Sequence, residues 1–268
     1  MAPRLPRRGV AALAGLLLVA LAACDGPIVP RSPEALYSLA QQQLANSQFR
    51  AATDTLKRLS REFPTTEQGR QAAALHIVLE GGLARGYRSM GDAYLAGSKQ
   101  TVRLRAVGMD YFGRARGESI EMMESAEWLM KQPAAGAFRL DARPLPRQTV
   151  TFVYQVRTGK AIDDVQRAQS ERAEIWEGID ATARAMGGTG AAVEPAVLFL
   201  GVARELVEAV DLYDPKRLDE TQMTRLYHER AAGLARHAAQ LAQAKGDGST
   251  QKEAEALVRR CQEALARR

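Results

Sequence analysis

Apolar side chains recur at helical spacing along most of this chain. Leu36, Leu39, Ala40 and Leu44 fall on one helical face. A break at Asn46-Ser47-Gln48 separates them from Phe49, Ala52, Leu56 and Leu59 on a second helix. Ser32-Pro33 opens the first helix, with serine as N-cap and proline in the first turn. Phe63-Pro64 closes the second, because proline drives the residue before it out of the helical region. The pattern predicts two short antiparallel helices, with Ala40 and Ala52 small where the backbones approach. A longer apolar series follows: Ala72, Leu75, Ile77, Leu79, Leu83, Tyr87, Met90 and Tyr94. Gly81, Gly82, Gly86 and Gly91 interrupt it. Each costs ~1 kcal/mol against alanine in a helix, which implies a close helix–helix approach or a break. After Gly97-Ser98 come Val102, Ala106, Met109 and Phe112, then Ile120, Met123, Ala126 and Met130, a stripe expected to be core.

Residues 133–147 carry three prolines and no periodicity and read as a linker or surface loop. Val150 to Val156 is rich in β-branched residues but has no second strand to pair with, so it is read as the start of a helix. Ile162, Val165, Ala168, Ala173, Trp176, Ile179 and Ala183 make the next amphipathic stripe, ended by Gly187-Gly188-Thr189-Gly190. Pro195 starts an apolar helix that Asp214-Pro215 breaks. Leu218 to Ala244 and Thr250 to Leu265 complete an all-α chain.

The first two dozen residues differ in kind. Arg4, Arg7 and Arg8 precede an uncharged apolar run from Val10 to Leu21, the layout of a secretory signal. The run is short against the ~20 apolar residues of a spanning helix. It ends in Leu21-Ala22-Ala23-Cys24, which resembles the lipobox of bacterial lipoproteins. The resemblance implies cleavage before Cys24, acylation of that cysteine, and a lipid-anchored protein facing the periplasm. Asp25 resembles an inner-membrane retention signal of enteric bacteria. The division expected is a signal peptide at 1–23, a tether at 24–33, helical regions at 34–132 and 148–268, and the linker between them. Removing residues 1–23 takes away three arginines and no acid, lowering the formal charge from +6 to +3. The remaining charges are interspersed along the helices, so no nucleic-acid partner is expected. Cys261 then has no intrachain partner and sits in the apolar stripe Ala254, Leu257, Val258, Cys261, Leu265, as a buried thiol would.

The wording Leu-Tyr…Ala…Phe-Arg-Ala-Ala…Leu…Leu…Phe-Pro between Leu36 and Pro64 resembles a tetratricopeptide repeat of roughly 34 residues. It is most similar to the first repeat of outer-membrane lipoproteins related to the β-barrel assembly helper. Leu36 stands where such repeats carry a tryptophan-type anchor. The resemblance implies a tetratricopeptide-like array followed by long antiparallel helices, and slightly favours the outer membrane.

Motifs for chemistry are sparse. His228 and His237 are nine residues apart and point to opposite sides of one helix, and His228-Glu229 lacks the second histidine of a zinc protease. Gly188-Thr189-Gly190 has neither the preceding strand nor the third glycine of a dinucleotide fingerprint. No metal site and no cofactor is expected. Glu118-Ser119, followed by Trp128-Leu129-Met130-Lys131-Gln132, faintly resembles the lytic transglycosylases, which use a buried glutamic acid as general acid and then base. The nearby Glu121, Glu124 and Glu127 read as a solvated face. The expectation is therefore a non-enzymatic scaffold or adaptor that binds an envelope protein. The alternatives are a transporter-accessory lipoprotein holding a small ligand and a peptidoglycan-cleaving enzyme. Inner helices of two-helix repeats line a concave face. On that ground Gln43, His76, Arg85 and Tyr87 are the candidate partner-binding residues.

Overall fold

A computed structural model describes residues 32–132, 138–139, 155–160, 162–188, 192–214 and 217–267. The Cys24 region, the tether to residue 31, most of 133–147 and Val150 to Tyr154 lie outside the described residues. The architecture is all-α, with one two-residue strand pair, β1 (Phe138–Arg139) and β2 (Ala192–Val193), antiparallel to each other.

Helices α1 (Pro33–Ala45) and α2 (Phe49–Glu62) form the expected hairpin. The Ser32 hydroxyl accepts from the Ala35 amide at 3.2 Å, capping a helix that proline begins. Thr66 caps α3 (Glu67–Ser98) in the same way, through the Gly69 amide at 3.0 Å. α3 is unbroken across Gly81, Gly82, Gly86 and Gly91. It is flanked by α2, by α4 (Leu104–Met130) and by α5 (Asp164–Ala185), which is why most of its positions are buried all round. α4 and α5 both run antiparallel to α3. A capping box between Asp163 and Gln166 starts α5.

The glycines of α3 answer their own question: they mark close approach, not a break. A Cβ on Gly82 would stand 2.5 Å from the Ile179 Cα, and one on Gly86 would stand 2.6 Å from the Ile175 Cα. Gly178 of α5 meets the Gly82 carbonyl in return. The α3 and α5 backbones touch along this line.

α6 (Pro195–Ala209), α7 (Leu218–Lys245) and α8 (Gly248–Ala266) complete the chain, α6 against α4 and α3, α7 against α6, and α8 against α7. Gly246, at φ 74°, ends α7, and the Asp247 side chain caps α8. One hydrophobic cluster runs from Leu36 through α3, α4, α5 and α6 to Cys261, so the two helical regions share a core. Ala40, Ala52 and Leu56 are fully buried in it, and so is Cys261.

Two stripes expected to be core fail at one end. Val102, just before α4, and Met109, in its second turn, are 82% and 49% exposed, and Val165, at the start of α5, is 66% exposed. Helical spacing is intact there, but α4 meets α3 along Gly108, Tyr111 and Ala115, a line turned away from Val102 and Met109, so these side chains face outward. After the hairpin the helices are 32, 27, 22, 15, 28 and 19 residues long, so they do not continue a regular short-helix repeat.

Candidate functional site

The densest chemistry lies where α2, α3 and α4 meet. Within the run from Gln71 to Ala84, His76 and Glu80 are the only ionisable residues. Four residues apart, they share one face of α3, and both are buried. Glu118 faces them from α4, also buried. Arg50, at the start of α2, closes over the group and donates to Glu118 Oε1. One turn along, Lys57 Nζ pairs with Glu121 at 2.6 Å.

The two buried carboxyl groups lie within hydrogen-bond reach of one another. Glu80 Oε2 and Glu118 Oε2 have no other donor. A proton held between them satisfies both, and burial supplies the drive to keep it. Burial, followed by the bond to Glu80, pushes the Glu118 carboxyl up to about 9, with Arg50 opposing. Glu80 is raised as well, again mainly by burial. The pair is a neutral acid donating to one carboxylate, with the Arg50 guanidinium balancing the charge that remains. His76 Nε2 stands 3.2 Å from Glu80 Oε1 but out of line for a hydrogen bond. Burial, reinforced by Lys57, lowers its pKa to about 4, so the imidazole is neutral near pH 7.

A second polar group ties α3 to α6. Arg85 Nε and Nη2 donate to the two oxygens of Glu205 at 2.7 Å each, and Nη2 also reaches Glu208 at 2.9 Å. Arg88 donates to the Glu208 carbonyl at 3.0 Å. Beside them is a recess of about 30 Å³, lined by Gly81, Ala84, Ser119, Met122 and Leu212 among others. That is room for a water molecule or two, not for a metabolite. Arg116 continues the seam, donating to the Leu212 carbonyl and stacking 4.6 Å from the Tyr213 ring centroid.

The four candidate contact residues do not form one exposed surface. His76 and Tyr87 are buried, at 2% and 4% exposure. Tyr87 packs with Tyr94 and Tyr111 in an aromatic stack beneath Arg114, and Tyr111 donates to Glu171 at 2.8 Å. Arg85 is bound to Glu205 and Glu208. Gln43 is half-buried and accepts from the Thr55 hydroxyl at 2.8 Å. The concave-face argument fails because α4 and α5 cover the side of α3 that a repeat array would leave open. Glu80 was the residue missed: a lone acid four positions after a lone histidine, in a stretch with no other ionisable group, is its signal.

Among the described residues no group of three His, Cys, Asp or Glu side chains is arranged to hold a metal ion, and no helix is long and apolar enough to cross a membrane. No protein-family model matches the chain, and no curated protein matches it in sequence.

Proposed function

We propose that this protein is a lipid-anchored scaffold or adaptor of the cell envelope, facing the periplasm and held by an acylated Cys24. The observation that carries the reading is Leu21-Ala22-Ala23-Cys24 at the end of a charge-free apolar run that follows three arginines. The helical body supports it, since its densest polar groups are spent on ties between helices. α1 and α2 form a tetratricopeptide-like unit in this reading, with fully buried Ala40 and Ala52 at the crossing. The contact surface for an envelope protein is drawn from the exposed faces, not from His76, Tyr87 and Arg85.

Metabolic labelling with palmitate tests the anchor. The wild-type chain takes up label and the Cys24→Ala variant does not; labelling that persists in the variant refutes the assignment.

One observation favours an enzyme as the second reading. Glu118 is a buried carboxylic acid that stays protonated near neutral pH, as the general acid of a glycoside-cleaving enzyme must. Against it, Glu118 is 2% exposed beneath Arg50. Muropeptide release from peptidoglycan by the wild-type chain, abolished in Glu118→Gln, would replace the scaffold reading.

A further inference from the structure

The end of the bundle where α3 stops carries a patch assembled from two stretches of chain. Lys99 caps α3, Arg103 and Arg105 begin α4, and Arg157 and Lys160 belong to the turn at 155–160. That turn packs on the α3–α4 connection, with Thr101 Oγ1 donating to the Gly159 carbonyl at 3.5 Å. All five cations are exposed, and among the described residues none of them makes an ion pair. The acids nearby are largely spent elsewhere: Asp163 caps α5, Asp164 pairs with Arg167 at 2.7 Å, and Asp110 pairs with Arg114 at 2.9 Å. Asp92 lies about two turns back along α3.

The same end bears Val102, Met109 and Val165, the exposed large apolar side chains among the described residues. Val102 stands between Lys99 and Arg103 and is 82% exposed. A protruding valine flanked by cations without ion pairs among the described residues, with two further exposed apolar side chains at the same end, is the pattern of an interfacial binder: the apolar groups enter the headgroup boundary while the cations meet anionic lipid. A solvated tip would need neither the valines nor the excess of one charge.

We infer that this tip docks on an anionic bilayer surface. Each added cation near such a surface is worth on the order of five-fold in partitioning. Five of them form a salt-sensitive contact that the apolar side chains reinforce.

The position of the tip adds an orientation. By the two hairpin turns, α1 runs parallel to α3, so Ser32 emerges at the opposite end from residues 98–105. A helix of 32 residues is about 48 Å long. The tether from Cys24 to Ser32 reaches at most ~28 Å. Both ends meet one membrane only if the bundle lies along it. This orientation rests on the lipid-anchor reading; the affinity of the tip for anionic lipid does not.

The test is peptide-resolved hydrogen exchange on the full chain. It is mixed with vesicles of phosphatidylcholine alone, or of phosphatidylcholine with phosphatidylglycerol at roughly one lipid in three. Exchange of residues 99–110 and 155–165 should slow several-fold on the anionic vesicles and recover at high salt. The double variant Arg103→Glu/Arg105→Glu should lose the protection, with unchanged melting. Val102→Ser, which leaves every charge in place, should weaken it. Equal exchange at the tip on both vesicles overturns the inference. So does protection that charge reversal leaves intact. Failure of the anchor is read separately, from missing acylation and from whether the N-terminal peptide is protected.

Discussion

Gly82 and Gly86 show how much a single hydrogen atom can decide. Alanine at either place would set a methyl group against the α5 backbone, where no side chain can swing aside. Gly82→Ala and Gly86→Ala should each cost about 1–3 kcal/mol in chemical denaturation, the usual range for overpacking. Gly113 and Gly117 in α4 are the internal controls. Nothing lies within 4 Å of a Cβ there, so alanine should raise stability by up to about 1 kcal/mol. The sequence shows the glycines and says that they need a reason, but which of the two reasons applies depends on α5, some ninety residues away. The buried acids set a pH dependence with two opposed slopes. Glu118 is raised from 4.5 to about 9 on folding, so its contribution is whole below about pH 4.5 and is lost as pH rises through about 9. His76 is lowered from 6.5 to about 4, so its contribution is present above about pH 6.5 and is lost as pH falls through about 4. Stability should therefore peak between these limits. Glu118→Gln, which keeps a donor for Glu80 and an acceptor for Arg50, should flatten the alkaline decline of the denaturation midpoint while leaving the acid limb in place. An alkaline limb identical to wild type would show that the pair is not the group titrating.

At the scale of elements, local chemistry told most of what it could. The Ser32-Pro33 start, the Phe63-Pro64 stop and the Gly246-Asp247-Gly248 turn all rest on residues within one turn of the boundary, and the helices begin and end where those residues stand. What periodicity could not say is which stretch of an apolar face finds a neighbour. The stripe beginning at Val102 is as regular as the one ending at Met130, yet α4 meets α3 along Gly108 and Tyr111 instead and leaves that stripe facing outward. The candidate contact residues are taken up for the same reason: α4 covers Tyr87, α6 arrives from beyond the linker to bind Arg85, and Thr55 of α2 binds Gln43. Pairing between elements is likewise invisible in sequence, and Arg85 with Glu205, 120 residues apart, is the example. Arg85→Ala would leave a buried carboxylate without its bidentate partner, at a cost of about 1–3 kcal/mol. A double-mutant cycle with Glu205→Gln should return a coupling of about 0.5–3 kcal/mol. Additive single variants would mean that the pair does not hold α6 to α3.

At the scale of the whole molecule, the two helical regions are halves of one core. α3 needs α5 on its glycine line and α6 beside Arg85, and both come from the second half of the chain. A fragment ending at residue 132 would expose that line to water and should fail to unfold cooperatively, whereas the full chain should give one transition by circular dichroism and by tryptophan fluorescence. The five cations of the tip stand in two stretches more than fifty residues apart, and only the packing of one on the other turns them into a field of one sign. The antiparallel entry of α1 and α2 also has a mechanical meaning. A pull on residue 32 acts at the outermost element. It peels α1 from α2 and then works against the Arg50–Glu118 and Lys57–Glu121 ties one after the other, while α3 stays clamped by its neighbours. The hairpin is thus the part that yields first under load, and in a single-molecule stretching trace it should appear as a short, low-force step that precedes rupture of the remaining bundle.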